Sequence, residues 1–97
     1  MASGSTQAEE LREFKLAIKT GHFIPETLEV PAGVRFKLVI TNQGPGPEEF
    51  ESYELKKESV MGEGAIRPLV FASLKPGSYP FFSEFHPDTA KGRIIAK

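Results

Sequence analysis

The chain has 97 residues, of which 39% are hydrophobic and 26% charged, the make-up of one soluble globular domain. Its net charge of −1 argues against nucleic acid, because phosphate binding needs an excess of Lys and Arg. There is no cysteine, which excludes disulfides, thiolate metal sites and thiol nucleophiles, and no apolar run nears the roughly 18 residues that span a bilayer.

Residues 1–13 read as a flexible lead-in. The start, MASGSTQAEE, lacks the basic n-region and apolar h-region of an intact signal peptide. The folded domain is expected over 14–97. Phe14, Leu16 and Ile18 alternate with Lys15, Ala17 and Lys19, the period-2 pattern of a half-buried strand. His22 to Pro25 is an extended connector, since a residue before proline is pushed out of the helical region. Leu28 and Val30 make a short strand. Val34, Phe36, Leu38 and Ile40 then face one way and Arg35, Lys37 and Thr41 the other, the clearest strand pattern in the chain.

NQGPGP, from Asn42 to Pro47, punctuates the chain and cannot continue a ladder. EFESYEL, from Glu49 to Leu55, is strand-like, and Lys56-Lys57-Glu58 reads as a charged edge. Met61 to Gly64 is a loop. PLVFASL, from Pro68 to Leu74, is apolar enough for an inner strand with Pro68 at its start, where a missing donor is tolerated. Lys75-Pro76-Gly77-Ser78 suits a type I or II turn. Tyr79 to Phe85 and Arg93 to Lys97 are the last strands, and Tyr79, Phe81, Phe82 and Phe85 read as core. With about seven short strands and no predicted helix, the fold class is all-β, a single-domain antiparallel Greek-key sandwich or barrel.

The chemistry concentrates in acidic residues and one histidine. Glu49 and Glu51 sit at i and i+2 on a strand and share a face. Glu84 and His86 have the same spacing and share a face if their strand continues that far. Like charges on one face call for solvent, a basic side chain or a cation between them. Carboxylate with imidazole suits Fe, Mn, Zn or Cu(II) and suits Cu(I) poorly. The same glutamates also read as an ordinary solvated strand face. No Ser–His–Asp arrangement is evident.

From Tyr79 to Gly92, YPFFSEFHPDTAKG, the chain resembles the cupredoxins, whose ligand loop runs aromatic-x-aromatic-x-Cys-x-x-His, then Met, then a glycine and a closing strand. FIPETLEVPAG (Phe23 to Gly33), the strand ending in Thr41-Asn42, and LKPGSY (Leu74 to Tyr79) extend the likeness over about Phe14 to Lys97. Ser83 stands in the thiolate position, Ala90 in the axial Met position, and Glu48-Glu49-Phe50 fill the upstream histidine slot. A blue-copper centre depends on a thiolate, so blue-copper electron transfer of the usual kind is excluded. Ser83 is expected to hydrogen-bond or fill space.

The closer likeness is to cupredoxin-like proteins linked to bacterial periplasmic iron uptake. It rests on EEFES (Glu48 to Ser52) and FFSEFHPDTAKG (Phe81 to Gly92). The resemblance implies an exported, periplasmic protein that binds iron or Cu(II) through Glu49, Glu51, Glu84 and His86, with Glu58 as an addition. It implies a ferroxidase-type component or an iron carrier, with a membrane iron permease or another periplasmic iron-uptake component as partner. The alternative is a metal-free β-sandwich interaction module, suggested by the lost Cys and Met and the charged edge from Glu54 to Glu58.

Overall fold

Alternating burial organises the longer strands. The computed structural model describes residues 11–97. They form nine strands: β1 (Arg12–Lys19), β2 (His22–Ile24), β3 (Thr27–Val30), β4 (Phe36–Asn42), β5 (Glu48–Ser52), β6 (Lys57–Met61), β7 (Ile66–Phe71), β8 (Gly77–Phe82) and β9 (Lys91–Ala96). One sheet has the order β2-β1-β4-β7 and the other β3-β9-β8-β5-β6. In β4 the residues Phe36, Leu38, Ile40 and Asn42 are all buried while those between them are half-exposed. This is what period 2 demands of a strand with one face on a core.

The core fills the space between the sheets. Phe23, Phe50 and Phe81 meet at its centre: the Phe81 ring lies 4.8 Å from Phe23, edge-on, and 4.9 Å from Phe50. Phe36 stacks on Phe71 with centroids 4.8 Å apart. Burying each ring is worth roughly 2–3 kcal/mol before packing geometry is counted.

The all-β expectation holds, with nine strands in place of seven. Both additions are short and carry weak patterns. β2, expected as a connector, pairs with β1 through three residues, His22 to Ile24. β6, expected as a charged edge and loop, is an edge strand whose outward residues Glu58 and Val60 are exposed. The sheets are mixed rather than purely antiparallel, because β1 runs parallel to β4 and β3 parallel to β9. PLVFASL is not an inner strand. β7 lies at a sheet edge, largely exposed, with Phe71 alone fully buried. The aromatic run also divides: Phe81 is core, Tyr79 and Phe82 are half-buried, and Phe85 is exposed. β1 takes in Arg12 and Glu13 from the expected lead-in, and residues 1–10 lie outside the described part of the chain.

Candidate metal centre

Two loops at one end of the sandwich deliver the acidic residues. The first is built on Asn42. Its side-chain amide donates to the carbonyls of Gly46 at 2.9 Å and Met61 at 3.1 Å, while its oxygen accepts the Gly44 N–H at 2.9 Å. A buried amide using both ends in this way fixes the loop, so the chain enters β5 in one register at Glu48. The second loop follows β8, which ends at Phe82. The N–H of His86 donates to the carbonyl of Ser83, and the N–H groups of Thr89 and Ala90 donate to that of His86. Gly21, at φ +74°, lets the His86 ring lie against the β1–β2 turn; a Cβ there would meet the imidazole at 3.1 Å.

Because β5 is pleated, Glu48 and Glu49 point to opposite faces. Ser83 and Glu84 divide in the same way. Glu48 is buried on the inner side, where Ser83 Oγ donates to its Oε1 at 2.8 Å. Ser83 Oγ in turn accepts the N–H of Glu49 at 3.0 Å and of Phe85 at 3.3 Å. The other carboxylate oxygen, Glu48 Oε2, lies 2.7 Å from His86 Nδ1. That contact is close but not aligned as a hydrogen bond, and Oε2 has no other partner.

On the outer side Glu49, Glu51 and Glu84 converge, one carboxylate oxygen from each lying within 4.8 Å of the others. Glu49 Oε1 accepts the Glu84 N–H at 3.0 Å, which ties the loop to the strand. Glu58 stands directly across from Glu51 on β6. Among the described residues none of these four carboxylates forms an ion pair. Lys56 lines a hollow of about 270 Å³ together with Glu51, Tyr53 and Glu58.

The electrostatic cost shows in the acidities. Burial, reinforced by Glu58, Glu51 and Glu84, pushes the Glu49 carboxyl up to about 7 against the lowering effect of the Glu84 N–H. Burial, then Glu58 and Glu84, raises Glu51. Glu51 raises the Tyr53 phenol above its usual range. Glu51 Oε1 is buried with no hydrogen-bond partner. Such a group is satisfied either by taking up a proton or by a cation held between the carboxylates.

The structure therefore brings Glu49, Glu51 and Glu84 together, with Glu58 exposed beside them. His86 faces Glu48 instead. The i and i+2 argument for Glu84 and His86 does not apply, because β8 has ended and both lie in the turn. Glu48 and Ser83 emerge as the residues that hold the inner cluster. The sequence carried a signal for each, since they occupy the slots where a histidine and a thiolate were expected.

Comparisons with known proteins agree on the fold. The profile of the cupredoxin-like domain matches residues 1–96. An uncharacterized protein of Rickettsia prowazekii (strain Madrid E) is 39% identical over 87 residues, 90% of this chain and 70% of its own length. Auracyanin from Roseiflexus castenholzii superposes with a TM-score of 0.72 at 12% identity, over 88% of this chain and 96% of its own. The purple cupredoxin of Nitrosopumilus maritimus gives 0.63 at 20% identity, over 87% and 99%. The metal-binding domain of a Cu(I)-exporting P-type ATPase from Streptococcus pneumoniae, solved with Cu(I), gives 0.72 at 15% identity, over 88% and 84%.

Proposed function

The protein belongs to the cupredoxin-like domain family, and from that premise we propose that it is a metal-binding component of an exported, periplasmic iron-uptake system. Iron or Cu(II) is held by Glu49, Glu51 and Glu84, with Glu58 at the rim. Glu48 and His86 form a second donor pair on the other side of β5. The observation that carries this reading is the convergence of three carboxylates with no basic side chain paired to any of them among the described residues. Three like charges held together by the fold raise the pKa values of their own members, and a cation relieves that repulsion directly.

The donor set selects the ion. The inner cluster offers carboxylate, hydroxyl and imidazole at the place where a thiolate and thioether would suit Cu(I). Those soft ligands are absent, so a blue-copper centre does not fit. Hard oxygens fit Cu(II) and iron, and the buried Oε1 of Glu51, without a hydrogen-bond partner, is the donor such an ion would use at the outer cluster. All-oxygen ligation favours Fe(III) over Fe(II). This suits a protein that assists ferrous-iron oxidation or delivers iron to a membrane permease.

Calorimetric titration of the metal-free protein with Cu(II), Zn(II) and anaerobic Fe(II) tests the reading. One-to-one binding at micromolar or tighter affinity, weakened by Glu51→Gln, is expected. A further weak step lost in His86→Ala would mark the inner pair. No binding of any of the three ions would overturn the proposal and favour a metal-free interaction module.

A further inference from the structure

The outer face of the second sheet carries more than carboxylates. Cross-strand partners project to the same face, and the register gives one row across four strands: Glu58 opposite Glu51, Glu51 opposite Phe82, Phe82 opposite Lys91. Acid therefore stands at one end of the row, a half-buried aromatic ring in the middle and a base at the other end. In the neighbouring row Arg93 lies opposite Pro80. Lys91, Arg93, Pro80 and Phe82 line an open trough of about 500 Å³, and Phe82 is the cross-strand partner of Glu51. Glu26 is the single carboxylate among its lining residues. Lys91 and Arg93 are exposed, and among the described residues neither forms an ion pair.

The geometry points to a site for a metal ion that arrives already chelated by a small polycarboxylate. This rests on the proposed metal site at Glu49, Glu51 and Glu84. Two strand spacings separate Glu51 from Lys91, about 10 Å between backbones. Phe82 stands between them in the register, so one tricarboxylate complex can span the row. The cation sits toward the glutamates, and the free carboxylate arms of the chelator reach Lys91 and Arg93. Pro80 and Phe82 give the apolar floor that a preformed small-molecule site requires. The acidic cluster alone would repel such an anion; the basic wall beside it removes that repulsion and sets the orientation.

The test uses the whole chain and Ga(III)–citrate, a redox-inert trivalent chelate, in equilibrium dialysis with gallium and citrate both quantified. Zn(II) alone is titrated in parallel. Lys91→Gln/Arg93→Gln, at exposed positions, is expected to weaken Ga(III)–citrate about tenfold through loss of two exposed charge contacts, with Zn(II) affinity unchanged. Glu51→Gln weakens both ligands. Unchanged Ga(III)–citrate affinity in the double variant, or gallium retained without citrate, overturns the inference. Wild-type binding of Zn(II) without binding of Ga(III)–citrate also overturns it and leaves the metal site standing. Binding of Ga(III)–citrate that depends on Lys91 and Arg93, with no binding of Zn(II), keeps the trough and removes the metal-alone reading. Binding of neither ligand removes both.

Discussion

Glu48 and Glu49 are neighbours in sequence and chemically identical, yet they occupy opposite environments. Glu48 faces inward to one hydroxyl and one imidazole, each within hydrogen-bond distance. Glu49 is nearly as buried, at 3% exposed, but its side-chain neighbours are Glu51, Glu58 and Glu84. The inner cluster offsets the burial of charge with polar partners, whereas the outer one leaves charge unopposed. The pleat alone makes this assignment. On one side of β5 a buried carboxylate has a hydroxyl and an imidazole beside it, and on the other three carboxylates converge with no counter-charge among the described residues.

The largest test of that contrast removes the outer cluster. Glu49→Gln/Glu51→Gln/Glu84→Gln is expected to reduce metal affinity by more than the roughly 100-fold that outer-shell losses reach, while thermal stability holds or rises. Glu48→Gln should leave the outer affinity nearly intact, and an equal loss in both variants would mean the two clusters are one site. Next comes Ser83→Ala. It strands Glu48 Oε1 and the Glu49 N–H, and a cost of about 1–3 kcal/mol is expected in urea unfolding.

The pH dependence is smaller. Glu49 has its pKa raised in the folded state to about 7 from 4.5, so between those values the folded chain binds more protons than the unfolded one. Its contribution is fully present below pH 4.5 and is lost as pH rises through 7. Metal-free protein should therefore melt lower at pH 8 than at pH 5, and Glu49→Gln should flatten that slope. A steeper slope in the variant would assign the effect elsewhere. The smallest change is expected for Phe85→Ala. That ring is 48% exposed, and stability should shift by no more than about 0.5 kcal/mol.

How legible each part was depends on how much of its signal is local. Period 2 in Phe36, Leu38 and Ile40 specified β4 outright, because burial on one face leaves no other solution. β2 and β6 were missed since their evidence is backbone pairing: His22 to Ile24 is held to β1, and β6 is a polar edge. The parallel pairs were invisible for a related reason, as nothing in Arg12–Lys19 names β4 as its neighbour. At the site, Glu49 and Glu51 followed from strand geometry and their convergence with Glu84 is seen. The grouping of Glu84 with His86 depended on where β8 stops, and a turn at Ser83 is a tertiary outcome. Glu48 falls in the upstream histidine slot, but its pairing with Ser83, 35 residues away, and with His86 has no local signal.

The parallel pairing of β3 with β9 also shapes how the molecule is made. Thr27 to Val30 find their partners only in Arg93 to Ala96, and β9 lies inside its sheet, between β3 and β8. That sheet cannot close while the ribosome still holds Arg93 to Ala96. Non-local pairing of this kind makes for slow folding. The sheet is therefore completed late, once Arg93 to Ala96 are free to pair with Thr27 to Val30.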